Sequence, residues 1–151
     1  MKRHKKILAG PLMEWKGKKI EEGFTSRIKQ LLSERNRIGF EIRNLVADFR
    51  KRSPNFQQGS LYLGIREHRP ACPSCPHGPY WYQATFTRER KWIGRYVGRR
   101  LTKSLIYKMW NYRRLTLLLQ FDQRAHEIRE RKRVVSKSFS SLQRILKNAD
   151  F

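Results

Sequence analysis

The chain has 151 residues, 38% of them hydrophobic and 12% aromatic, which suits a single domain with a modest core. Its 35 Lys and Arg against 12 Asp and Glu leave a formal net charge of +23, a self-repulsion that disfavours a compact body unless a polyanion neutralises it. No apolar run approaches the roughly 18 residues of a spanning helix, and only Ile7, Leu8 and Ala9 separate MKRHKK from Gly10, too few for a signal peptide. A soluble, cytoplasmic protein associated with the nucleoid or a nucleoprotein complex is therefore expected.

The basic surplus is spread along the whole length. Residues 1–60 carry 15 basic and 6 acidic side chains, residues 61–100 carry 8 and 2, and residues 101–151 carry 12 and 4. A neutral scaffold with one basic tail is excluded by that distribution.

In chain order, residues 1–23 read as a basic N-terminal arm. Lys2, Arg3, Lys5 and Lys6 are candidates for phosphate contact, unless the segment is only a solvated terminus. From Phe24 the pattern becomes helical, because Phe24, Ile28, Leu31, Arg35, Ile38, Ile42, Leu45 and Phe49 recur at alternating steps of four and three. This is a heptad seam of coiled-coil type with one polar member. Thr25 or Ser26 is expected to cap it and Ser53–Pro54 to end it.

Three strands follow. Leu61–Arg66 places Leu61, Leu63 and Ile65 on one side and Tyr62, Gly64 and Arg66 on the other. Tyr80–Thr87 and Trp92–Val97 form a hairpin across the turn Arg88-Glu89-Arg90-Lys91. One face of this β unit (residues 59–100) is expected to pack on a helix, and the other to meet a nucleic-acid backbone, groove or unstacked base. For any single aromatic the competing reading is plain core. Three cations in a four-residue turn are harder to explain as structure and favour phosphate.

After Leu101 the helical period returns. Thr102 is the expected cap, and Leu105, Met109, Tyr112, Leu115/Thr116 and Leu119 form the expected stripe, widened by Ile106, Trp110, Leu117, Leu118 and Phe121 into a largely buried helix. Residues 131–151 suggest a further basic amphipathic helix through Val135, Ser138/Phe139, Leu142 and Ile145/Leu146. The fold class predicted is α+β: a small three-stranded antiparallel sheet between two long helices that pair antiparallel, plus the C-terminal helix. The domain reading is an arm (1–23), a helix-sheet-helix body (24–130) and the terminal helix (131–151).

Four zinc-ligand types fall within ten residues, His68, Cys72, Cys75 and His77. The C-x-x-C half is the usual knuckle of a structural zinc site, whereas gathering both histidines into the same tetrahedron requires a sharply bent loop. Pro70, Pro73 and Pro76 can supply the bends. One structural zinc, two free thiols in a proline-rigid loop, and a redox cysteine are the three readings.

The cysteine loop followed by His77-Gly78-Pro79-Tyr80-Trp81-Tyr82, a basic turn, Arg95-Tyr96-Val97 and a helix resembles a family of small uncharacterised prokaryotic proteins associated with mobile elements. The resemblance covers about residues 71–120, and HGPYWY is its specific part; the loop has fewer cysteines here than in the family. It implies a DNA-related, mobile-element context. More loosely, three strands followed by a helix is similar to the arm-type DNA-binding domain of tyrosine recombinases, an analogy of fold.

The function expected is a non-enzymatic nucleic-acid-binding accessory protein, with duplex DNA ahead of RNA. Tyr82, Arg88, Arg90, Lys91, Arg95, Arg99 and Arg100 are expected to contact the polymer. The alternatives are an RNA-binding subunit of a ribonucleoprotein, or a protein that docks a larger nucleic-acid enzyme or self-associates through its helices. Clustered carboxylates of the kind nuclease metals require are missing from the sequence, where only Glu21 and Glu22 are adjacent.

Overall fold

The computed structural model describes residues 10–53, 59–68, 72–107 and 112–148. The order of elements is α1 (Gly10–Arg52), β1 (Leu61–Arg66), β2 (His77–Phe86), β3 (Trp92–Gly98), α2 (Lys103–Tyr107) and α3 (Tyr112–Asn148). It is an α+β chain with one three-stranded antiparallel sheet in the order β1-β2-β3. Two compact units are present, residues 35–134 and a second made of residues 1–34 with 135–151.

The helices differ from expectation at three places, each for a local reason. α1 begins at Gly10, not near Thr25, so the second half of the expected arm is helical. Pro11 lies in the first turn, where a proline is tolerated, and the interior glycines cost about 1 kcal/mol each without ending a helix. Lys2, Arg3, Lys5 and Lys6 lie outside the described residues, as do Met109 and Trp110 of the expected stripe. The helix expected from Leu101 is instead two, a short α2 capped by Thr102, whose Oγ1 accepts the Leu105 N–H at 3.4 Å, and a long α3. α3 then continues through residue 131 to Asn148. No glycine or proline occurs between Tyr112 and Asn148 to separate off a terminal helix.

In the unit of residues 35–134 the α1 seam is deeply buried, with Ile38, Ile42 and Phe49 fully enclosed. The matching α3 seam runs Leu118, Phe121, Ala125, Ile128, so Leu118 and Phe121 of the widened stripe are buried as expected, whereas Leu119 is exposed. Phe49 contacts both Trp81 and Phe121 edge to face, with ring centroids 5.6 and 5.1 Å apart, so helices and sheet meet at this aromatic trio. Arg131 pairs with Glu41 and Arg124 with Asp48. The two helical segments therefore run in opposite directions where they meet. In the other unit Leu31 is buried and Phe24 and Ile28 half-buried, while Ile145 and Leu146 are exposed.

Glu41 yields a pH prediction. The hydrogen bonds from Arg131 hold its carboxyl below the usual range, opposed by burial and assisted by the charges of Arg131 and Arg37. A depressed carboxyl stabilises the fold above its unfolded pKa, and that contribution disappears as pH falls through the lowered folded value. In a side-chain NMR titration the Glu41 midpoint should lie below about 4.3, the ordinary glutamate value, and Arg131→Met should move it up towards that value.

Candidate metal centre and nucleic-acid interface

The loop between β1 and β2 turns tightly at the knuckle, where the Cys75 N–H donates to the Cys72 carbonyl at 3.0 Å. The peptide bonds before Pro76 and Pro79 are both cis, and both prolines are buried. Gly39 of α1 makes room for this loop, since a Cβ there would stand 3.3 Å from Pro76 Cδ. The glycine that weakens the helix locally is thus the place where loop and helix approach.

His68, Cys72, Cys75 and His77 are brought together, their ligand atoms all within 4.8 Å of one another. Cys72 Sγ lies 3.3 Å from His77 Nε2 and 3.2 Å from Ser74 Oγ, and the His68 N–H donates to Cys75 Sγ at 3.3 Å. The two imidazoles pack with centroids 4.9 Å apart. Metal bonds of about 2.0–2.3 Å put tetrahedral ligands roughly 3.3–3.8 Å from one another, so a small contraction closes this cluster round an ion. The sharp bend that the spacing demanded is present. Donors on Ser74, then His68, Cys75 and His77, pull the Cys72 thiol down to about 5, which favours the thiolate a metal needs. Among the described residues no other group of three or more His, Cys, Asp or Glu side chains is placed to share an ion.

Lys132 is the residue that sequence reasoning missed. Its ammonium donates to the carbonyls of Ser74, at 2.6 Å, and Pro76, the two residues flanking Cys75. Burial lowers its pKa, against the opposing pull of Cys75 and Cys72. A signal existed: Lys132 continues the run Leu118, Phe121, Ala125, Ile128 at heptad spacing before Val135, and a cation in an apolar seam requires acceptors. Arg129, one turn earlier, donates to the Pro79 carbonyl at 2.6 Å. α3 therefore grips the loop and the start of β2 through backbone oxygens.

The sheet is two-sided. Leu63 and Trp81 pair in register and are fully buried on the helix side. On the other side Tyr62 stacks on Tyr82, with centroids 5.6 Å and an interplanar angle of 23°, and Tyr96 meets both Tyr80 and Tyr82 edge to face. Gly94 allows this paving, because a Cβ there would stand 1.9 Å from Tyr62 Oη. Tyr82 itself is only 8% exposed, whereas Tyr96, Trp92 and Phe86 are 46, 45 and 41% exposed. Arg66 lies over the Tyr96 ring at 5.6 Å.

The remaining expected contacts separate. Arg88, Arg90 and Lys91 are exposed on the hairpin turn, where Arg90 takes a left-handed φ of 58° and closes the turn with its N–H on the Thr87 carbonyl. Arg95 pairs in register with Gln83, on the face opposite Tyr82. Arg99 is exposed just after β3. Arg100 is engaged by Asp122, its Nε 2.9 Å from Oδ2. A polar groove of about 420 Å³ between α1 and α3 is lined by Glu41, Asp48, Arg124 and Arg131 among others, and these four neutralise one another in pairs.

Among the described residues no helix is long and apolar enough to cross a membrane. No family model, curated protein or solved structure matches this chain.

Proposed function

We propose that this chain is a non-enzymatic nucleic-acid-binding accessory protein, acting on DNA in preference to RNA, in a mobile-element or other nucleoprotein setting. The observation that carries the reading is the exposed hairpin turn Arg88, Arg90, Lys91 standing beside an exposed aromatic sheet face on a chain of net charge +23. Cations at a turn meet phosphates without burying their charge, and each phosphate neutralised releases counterions. The acidic side chains support a binding role over catalysis: Glu41, Asp48, Glu67, Asp122 and Glu130 each pair with an arginine. As part of the same reading, the Cys/His cluster holds one structural zinc, with Cys72, Cys75, His68 and His77 as ligands, fixing the loop that leads into β2. A closed tetrahedral site of this kind supplies folding energy and no chemistry.

Binding to DNA measured across a salt series tests the first claim. Affinity should fall steeply with salt, and Arg90→Gly should lower the slope by about one, the share of a single phosphate contact. Glycine suits the left-handed φ at this position, so the variant removes the charge and keeps the turn. A salt-independent affinity, or no binding stronger than about 10⁻⁴ M, would remove the reading.

A further inference from the structure

We infer that the exposed aromatic face of the sheet is a stacking platform for unpaired bases, and that its occupant is single-stranded DNA. The inference rests on the nucleic-acid reading above and names the form of polymer that this face takes.

Tyr96, on the edge strand β3, is the most exposed tyrosine of the face. It contacts Tyr80 and Tyr82 through ring edges, carries Arg66 over its ring at 5.6 Å, and keeps 46% of its surface exposed. Trp92 and Phe86, 4.0 Å apart between centroids, continue the apolar surface towards the hairpin turn. Exposed apolar patches on a small protein mark an interaction site, and charge decides among the occupants. A second copy brings the same +23 and is repelled. A neutral apolar partner has no use for the guanidinium of Arg66 or the cations of the turn. A polynucleotide uses both, since bases stack on aromatic rings and on guanidinium planes while phosphates follow the basic rim.

Form follows from the same chemistry. In a duplex the faces of the bases are covered by their neighbours, and only edges and phosphates are offered to a protein. Rings at the surface of a sheet are matched by unstacked bases, two or three at a time. The remaining alternating positions of this face are Gly64, Ala84, Gly94 and Arg66. Its polar groups are tyrosine hydroxyls and the Arg66 guanidinium, none of which needs a 2′-hydroxyl for a base to stack, so the DNA preference of the reading above carries over to the single strand. Charge alone suggests a duplex; the exposed rings shift the preference to an unpaired strand.

The test uses the full chain and three probes at one salt concentration: oligothymidylate, oligouridylate of the same length, and a DNA duplex. Wild type should bind oligothymidylate most tightly, with quenching of tryptophan emission that is lost in Trp92→Phe. Tyr96→Leu should weaken oligothymidylate binding roughly 10- to 100-fold and leave duplex binding unchanged, while Tyr96→Phe keeps wild-type affinity. Equal effects of Tyr96→Leu on both probes, no effect on either, or tighter binding of duplex or oligouridylate would overturn the inference. If duplex binding persists and remains salt-sensitive in that case, the phosphate-binding reading stands by itself. Failure of all three probes to bind removes both.

Discussion

Asp122→Ala is expected to cost about 1–3 kcal/mol of folding stability, the penalty for stranding a buried donor. One oxygen of this carboxylate accepts the Trp81 indole N–H at 2.8 Å and the Leu101 backbone N–H at 3.1 Å, and the other faces Arg100 at 2.9 Å. Asp122 is 4% exposed and Trp81 fully buried, so the indole N–H has no water to replace the lost acceptor, whereas the Leu101 N–H is only partly buried. Arg100 is half-exposed, and the loss of its counter-ion adds little. Asp122→Asn keeps the Oδ1 acceptor for both N–H groups but turns an amide NH2 towards the half-exposed Arg100, so it should cost about 1 kcal/mol. Urea unfolding with an unchanged m-value measures both. A midpoint for the alanine variant equal to that of wild type would show that this carboxylate does not hold sheet and α3 together.

The second large effect concerns the Cys/His cluster. The purified protein should carry one zinc per chain, Cys72→Ser and Cys75→Ser should abolish it, and chelation should lower the melting temperature, since metal affinity in a structural site is folding energy. Lys132→Met leaves all four ligands in place but frees the carbonyls on either side of Cys75. Zinc affinity should then fall about 10- to 100-fold, as it does for other residues that orient ligands, read by competition with a chromogenic chelator. Identical melting with and without zinc would return the loop to the reading of two free thiols.

Much of the architecture was legible because its signals are local. The three strands lie where alternation put them, with Leu61, Leu63 and Trp81 buried, although β2 begins three residues earlier, at His77. The α1 seam from Leu31 to Phe49 is buried as its heptad spacing predicts. Helix ends were less legible. Thr25 and Ser26 have cap chemistry but are exposed interior positions of α1, because a capping residue acts as a cap only where the helix has no reason to continue.

The sequence by itself determined the type of each strand, the heptad of α1, the cationic hairpin turn and the C-x-x-C knuckle, since period, turn composition and short spacings are properties of neighbouring residues. Tertiary structure decided the rest. It selected which face of the sheet is covered by helices and which shows Tyr96 and Trp92. It closed His68 and His77 onto the two thiols through the bent loop between β1 and β2. It also gave Lys132 and Asp122 partners that lie far away in the chain. Those partners are backbone carbonyls, a peptide N–H and an indole; the backbone groups carry no side-chain pattern, and only folding brings any of them within hydrogen-bond reach of a residue on α3.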